Sequence, residues 1–68
     1  MSYSNDYTVT GMTCGHCVAS VTEEISEIAG VTDVQVDLES GAVTVTSEQP
    51  VPAEAVEAAV REAGYQLA

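Results

Sequence analysis

The sequence predicts an α+β domain whose strands and helices follow the order βαββαβ. Three observations predict it: polar and apolar residues alternate in several short segments, apolar residues recur at helical spacing in two others, and Gly or Pro separates most of them. The chain has 68 residues, of which 46% are hydrophobic and 4% aromatic. We therefore predict a single domain spanning residues 1–68, with a core of aliphatic side chains.

The first strand and the first helix flank a loop at residues 12–16, with Cys14 in the loop and Cys17 in or just before the first turn of the helix. The alternation of Tyr7 and Val9 with threonines predicts a strand that runs to about Gly11. From Cys17 onward the apolar residues recur at the spacing of one helical face, and Gly30 is expected to end this helix. The apolar face consists of Val18, Val21, Ile25 and Ile28.

A β-hairpin is predicted in the middle of the chain. Alternation over residues 31–38 indicates a half-buried strand, with Val34, Val36 and Leu38 facing the core. A turn at residues 39–41 leads directly into a third strand over residues 42–46.

The last third of the chain predicts a helix and a short closing strand. Pro52 is suited to be the first residue of the helix, and Gly64 to end it. Residues 65–68 suffice for one short strand. The complete order corresponds to the ferredoxin-like split βαβ arrangement, a four-stranded antiparallel sheet with both helices on one face.

The charge of the chain excludes several classes of partner. Arg61 is the only lysine or arginine against eleven carboxylates, which gives a net charge of −10. We expect no binding to nucleic acid or to an anionic membrane. The acidic surface serves solubility or steers the protein toward a basic partner surface.

The sequence also bears on the cellular compartment. No apolar run approaches the roughly 18 residues of a membrane span, and the amino-terminal residues do not resemble a secretion signal. Two cysteines with two residues between them close too small a ring for a structural disulfide. We expect a cytoplasmic protein whose thiols stay reduced and available for metal or redox chemistry.

Cys14 and Cys17 are the candidate metal ligands. They lie between a predicted strand and a predicted helix, where the positive end of the helix dipole favours an anion and lowers the thiol pKa, of Cys17 above all. Two thiolates suit a soft monovalent ion such as Cu(I). Zn(II) or Cd(II) would keep open coordination positions, because structural zinc requires four ligands.

A second interpretation is a dithiol oxidoreductase, because the tetrapeptide Cys-Gly-His-Cys also occurs in thioredoxin-fold isomerases. Such domains are about 100 residues long, near the commonest size for a compact domain, which is well above the length of this chain. They also normally carry Trp before the first cysteine, whereas Thr13 precedes Cys14 and the chain has no Trp. The context therefore favours metal binding.

The sequence resembles the heavy-metal-associated domain family, and within it the bacterial CopZ-like copper chaperones. The resemblance covers essentially the whole chain. It is carried by the segment 11–17 (Gly-Met-Thr-Cys-Gly-His-Cys), by Gly30-Val31, by the strand of Val34 and Val36, by the Gly41 turn, and by Ala63-Gly64-Tyr65.

This resemblance implies a carrier of Cu(I) and not an enzyme. The expected recipient is a copper-exporting P-type ATPase, and in some systems a copper-responsive repressor. The alternatives are a metal-binding domain of a larger copper ATPase and a mercury-binding relative, although the latter are commonly periplasmic. Exposed sulfurs without the neutralising lysine of eukaryotic relatives also predict a copper-linked homodimer.

Three neighbours of the cysteines are second candidates for the site. The resemblance implies that Met12 points inward and braces the loop, and ligation by its thioether is the alternative. His16 is a weak third ligand, a tuner of the thiol pKa, a bridge in a metal-linked dimer, or a solvated residue at the helix start. By resemblance Tyr65 shields the sulfurs; otherwise it is a half-buried aromatic at the sheet edge.

Overall fold

The computed structural model describes residues 2–12 and 15–68. Within these residues the elements follow the predicted order βαββαβ. The strands are β1 (Tyr3–Thr10), β2 (Val31–Asp37), β3 (Ala42–Ser47) and β4 (Gln66–Leu67), and the helices are α1 (Gly15–Ser26) and α2 (Ala53–Glu62).

The four strands form one antiparallel sheet in the order β2-β3-β1-β4. Val43 on β3 lies opposite Tyr7 on β1 and Val36 on β2, and Val9 lies opposite Leu67 on β4. Because β1 and β3 are the central strands, the loop that follows β1 starts from the middle of the sheet. The ferredoxin-like prediction is confirmed.

One aliphatic core joins the sheet to both helices. Strands β1 and β3 contribute valines on one face, and α2 contributes its predicted apolar face. Of the face predicted for α1, Val21 and Ile25 are buried, Val18 is only partly buried, and Ile28 packs against the core from beyond the end of the helix. Both helices therefore pack on the same side of the sheet. The buried residues of this core are Val9, Val21, Ile25, Val43, Val45, Val51, Val56, Ala59 and Val60.

The prediction that Leu38 faces the core with Val34 and Val36 is wrong. Strand β2 ends at Asp37, and Leu38 lies in the turn with 37% of its surface exposed. The Asp37 carboxylate accepts a hydrogen bond from the Glu39 N–H, and its carbonyl accepts one from the Gly41 N–H. These contacts bend the backbone one residue before the alternation of side chains ends.

Other element boundaries also differ from the predictions. Helix α1 begins at Gly15, inside the predicted loop, and ends at Ser26, before Gly30. Strand β1 begins at Tyr3, four residues before Tyr7, because β3 is long enough to pair with this polar segment as far as Ser47. Polar residues such as Asp6 have low strand propensity, so the local pattern does not reveal this pairing. Pro52 is the N-cap of α2, one residue before the helix, with an extended ψ of 142°.

Candidate metal centre

The candidate metal loop connects the end of a central strand to the start of a helix. β1 ends at Thr10, Gly11 has a φ of +89°, and α1 begins at Gly15. Cys14, the first predicted ligand, lies outside the described residues, as does Thr13. A strand ends before these two residues and a helix begins after them, as predicted for the motif.

Cys17 is the third residue of α1 and lies in its first turn. Its surface is 7% exposed, because this position begins the helical face that continues with Val21 and Ile25. The first N–H groups of a helix have no partner within the helix and carry the positive end of its dipole. Cys17 is therefore anchored against the domain. It also lies at the end of α1 where the helix dipole favours an anion.

Met12 and Tyr65 both pack against the core cluster while remaining partly exposed. The inward packing expected of Met12 is confirmed, which supports the view that it braces the loop. Tyr65 follows α2 and brings its ring to Gly11, at the start of the same loop. A β-carbon placed on Gly11 would lie 3.4 Å from Cδ1 of Tyr65. Tyr65 is thus a partly buried aromatic whose ring lies next to the loop; its action on the sulfurs stays a prediction.

His16 is exposed in the first turn of α1, beside Cys17 in the chain. Within residues 2–12 and 15–68, no group of three His, Cys, Asp or Glu side chains is arranged to hold a metal ion. Of the two predicted ligands, Cys17, with His16 as its neighbour in the chain, lies among the described residues, and Cys14 does not. In the same part of the chain, no helix is both long and apolar enough to cross a membrane.

Carboxylates of both helices lie close enough to interact around Glu24 of α1. Partial burial, together with the neighbouring carboxylates of Glu27, Glu62 and Glu23, raises the pKa of Glu24 above its ordinary value. The sequence predicts an acidic surface, but not that Glu62 of α2 lies close to α1. That proximity depends on the packing of the two helices against each other.

The comparisons with known proteins agree with this geometry. The model of the heavy-metal-associated domain matches residues 6–66. The chain belongs to the heavy-metal-associated domain (HMA) family. The COP-associated protein of Helicobacter felis is 44% identical to this HMA domain over 62 residues, which cover 91% of this chain and 94% of that protein. The copper chaperone CopZ of Enterococcus hirae is 40% identical over 62 residues, covering 90% of each chain.

The solved structures include a CopZ metallochaperone that superimposes on this HMA domain with a TM-score of 0.90. It shares 33% sequence identity, and the match covers 97% of this chain and all of the other. A different kind of relative is copper-transporting ATPase 1 of Rhizobium meliloti, which is 39% identical over 62 residues. The chain spans 8% of the length of that protein.

Proposed function

We propose that this HMA domain is a copper chaperone that binds Cu(I) between the thiolates of Cys14 and Cys17 and passes it to a copper-transporting P-type ATPase. The observation that carries the proposal is the position of Cys17 in the first turn of α1, directly after the loop from β1, in a chain similar over nearly its full length to CopZ proteins. Cu(I) is the cargo of this carrier, and no catalytic step is involved.

The chemistry of the two cysteines suits a transferable ion. Two thiolates are soft ligands that match Cu(I), whereas a closed zinc site requires four ligands. An ion with few ligands is open to attack by the thiolates of a receiving protein, which replace Cys14 and Cys17 one at a time. Cys17 is anchored on a helix that packs against the domain. We therefore expect the receiving protein to approach from the side of the loop.

Anaerobic titration with Cu(I) against a chromogenic chelator tests the ligand assignment. We expect the wild-type domain to withdraw one Cu(I) per chain from the chelator, and the double variant Cys14→Ser, Cys17→Ser to withdraw none. Met12→Leu, which preserves volume and removes the sulfur, should bind as the wild type does because Met12 packs against the core. Equal binding by the double cysteine variant would contradict the assignment.

The same titration with His16→Ala examines the role of the exposed imidazole. A change in Cu(I) affinity relative to the wild type would identify His16 as a ligand or a tuner of the thiolates. An unchanged affinity identifies it as a solvated residue at the start of α1.

Sedimentation of the copper-loaded domain tests the copper-linked homodimer, for which we expect a mass that increases with loading.

Transfer is tested with the amino-terminal domain of a copper-transporting ATPase as acceptor. We expect Cu(I) to leave the loaded chaperone when the two proteins are mixed and separated, and not when the acceptor cysteines are replaced by serine. A copper-responsive repressor is a second acceptor for the same assay.

We propose that the protein is located in the cytoplasm, where the thiols of its cysteines remain reduced.

The main alternative is that these residues act as a metal-binding domain within a larger copper ATPase, as the similarity to the Rhizobium meliloti protein suggests. Immunoblotting of cell extract with an antibody to the domain separates the two possibilities. A band near 7.0 kDa supports the chaperone. A membrane-associated band many times larger supports the ATPase. Turnover of insulin or glutathione disulfides would instead support the oxidoreductase interpretation.

A further inference from the structure

The outer edge of β1 is only partly covered by β4. The pairing of β1 with β4 comprises Val9 opposite Leu67 and Thr10 opposite Gln66, and the Ala68 N–H donates to the Thr8 carbonyl at 2.8 Å. Toward its start, β1 pairs with β3 on the other side as far as Tyr3. Among residues 2–12 and 15–68, no strand pairs with the outer edge of β1 before Thr8.

The direction of the backbone groups along this edge follows from one hydrogen bond. The Val9 N–H donates to the Gly41 carbonyl at 2.8 Å, so Val9 and every second residue before it direct their backbone groups toward β3. The alternate residues, Ser4 and Asp6, therefore direct both N–H and C=O away from β3. Such a row of backbone groups is the template that an added strand requires.

A groove of about 600 Å³ lies beside this edge, where β4 stops. Asp6, Thr8 and Thr44 line it on the open face of the sheet. Ala42, Leu67 and Ala68 also line it, together with Tyr7. Because Ala42 and Thr44 belong to β3, the groove extends over the open face of the sheet from the edge of β1, while the side chains of Tyr7 and Leu67 pack against the core on the opposite face.

The charges around the groove select its occupant. The Asp6 carboxylate is exposed and accepts a hydrogen bond from the Thr44 hydroxyl at 2.9 Å. The register places Asp33 and Asp37 of β2 on the same open face of the sheet, opposite Thr46 and Ala42. The only lysine or arginine of the chain, Arg61, lies on α2, with its guanidinium 3.7 Å from the Glu57 carboxylate. The open face is therefore anionic.

We propose that the outer edge of β1 at Ser4 and Asp6 binds an extended segment of a partner protein, in which basic and apolar residues alternate, as an added strand in line with β4. A residue opposite Asp6 exchanges backbone hydrogen bonds with it and places its side chain on the open face, where a lysine or arginine meets the carboxylate. The residues on either side turn toward the apolar surface beside Tyr7 and Leu67. A second copy of this chain does not fit, because its net charge of −10 repels the same edge.

This surface is separate from the metal loop. At roughly 3.3 Å per residue along a strand, Asp6 lies about 13 Å from Thr10, at which β1 ends before the loop. A segment bound there does not cover the end of β1 that leads into the loop. The inference does not depend on the proposed binding of Cu(I), and the apo domain suffices to test it.

The test is a titration of the ¹⁵N-labelled domain with a capped seven-residue peptide of alternating lysine and valine, followed by NMR. We expect saturable shifts of the Ser4, Asp6 and Ala68 amides, and slower hydrogen exchange at Ser4 and Asp6. Two control peptides use the unaltered protein. One replaces lysine with glutamate, and the other carries N-methyl groups on the lysine backbone nitrogens, which are the donors toward Asp6. Neither should bind.

Protein variants give a second, matched comparison. Asp6→Asn retains an acceptor for the Thr44 hydroxyl but removes the charge, and should weaken peptide binding about fivefold. Asp37→Asn makes the same charge change on the same face of the sheet but at the far strand β2, and should weaken it less than about twofold. Ser4→Pro removes one N–H that points away from β3 and leaves the hydrogen bonds between β1 and β3 intact. It should weaken peptide binding more than Asp6→Asn does.

Four outcomes would overturn the proposal. They are shifts confined to the helices or to the segment around Cys17, equal binding of the N-methylated or the glutamate peptide, equal effects of Asp6→Asn and Asp37→Asn, and no saturable binding at all. If Ser4→Pro does not fold, the peptide controls still decide the outcome, because they use the wild-type protein. Sedimentation of the peptide-free domain as a dimer would also reject the assignment, in favour of a second copy.

Discussion

The ring of Tyr65 lies against the backbone of Gly11, although the two residues are far apart in the chain. A β-carbon on Gly11 would be 3.4 Å from Cδ1 of Tyr65, and the φ of +89° at Gly11 is one that residues with side chains rarely adopt. The contact joins the segment after α2 to the start of the cysteine loop. Tyr65 and Met12 thus both support the loop from the domain side.

We expect Tyr65→Ala to lower the free energy of unfolding by roughly 1–3 kcal/mol, less than the loss of a fully buried ring, because Tyr65 is half-buried. Tyr65→Phe keeps the ring against Gly11 and should lie within about 1 kcal/mol of the wild type. Urea unfolding measures both values. Cu(I) titration of Tyr65→Phe then tests shielding of the sulfurs, since a change in affinity without a change in stability identifies a role for the hydroxyl.

Gly41→Ala should be among the most destabilising single substitutions in the hairpin. Its β-carbon would lie 2.5 Å from the Val9 carbonyl oxygen, and Gly41 has a φ of +78°. Because the obstacle is backbone, either the turn or β1 must shift, at the expense of the hydrogen bond from Val9 to Gly41. We expect a loss of about 2–4 kcal/mol in the free energy of unfolding.

Gly64→Ala is the matched control, since Gly64 has a φ of +95° but no atom within 4 Å of an added β-carbon. Gly64→Ala should lower the free energy of unfolding by about 1–2 kcal/mol, which is the energy of holding alanine at a positive φ. Equal losses for the two alanine variants would show that the turn adapts to the clash at Gly41.

Ile25 is fully buried between α1 and the sheet, so shortening it tests the core. We expect Ile25→Val to cost about 0.5–1.5 kcal/mol and Ile25→Ala about 2–5 kcal/mol, because the larger cavity is not refilled in a packed interior. For a domain of this length the loss in the alanine variant is a large part of the whole free energy of unfolding. Ser20→Ala on the exposed side of α1 is the control; a loss comparable to that of Ile25→Ala would argue against the described packing.

Glu24 makes the stability of the domain depend on pH. Its pKa is higher in the folded domain than the usual 4.5, so the folded state disfavours the charged carboxylate. At pH 7 this lowers stability, and the loss disappears as the pH falls below the ordinary carboxyl range. We expect Glu24→Gln to raise the urea midpoint at pH 7 and to have progressively less effect at lower pH.

Glu54→Gln removes the same charge from the first turn of α2, where a carboxylate interacts favourably with the helix dipole. It should leave the urea midpoint at pH 7 unchanged or slightly lower. If both glutamine variants raise the midpoint equally, the effect comes from the net charge of −10 and not from the carboxylates around Glu24.

The elements were predictable wherever side-chain periodicity was regular. The spacing of Val21 and Ile25 identified the buried face of α1, and the alternation of Val34 and Val36 identified β2, because burial on one side leaves a period in the sequence. Leu38 continued that alternation in the sequence, but the hydrogen bonds around Asp37 ended the strand first. A side-chain pattern does not record such a local backbone contact.

The candidate site divides in the same way. That Cys14 and Cys17 form a thiolate pair between a strand and a helix was predicted from residue types, spacing and flanking periodicity. Met12 and Tyr65 were placed beside the loop by resemblance, and their contacts with the core belong to the tertiary structure. The proximity of Glu62 to Glu24 had no signal in the sequence, because the two residues lie on different helices.

By itself the sequence determined the order of the elements, most of their buried faces and the excess of acidic charge, and it supplied the two cysteines proposed as soft ligands. These properties depend on residue type and on periods of two or about 3.6 residues, which are local. Only the tertiary structure decided that β1 extends to Tyr3, that Tyr65 reaches Gly11, and that the edge at Ser4 and Asp6 lacks a strand among the described residues. Those features depend on the pairing and packing of segments distant in the chain, where register and helix packing set the contacts.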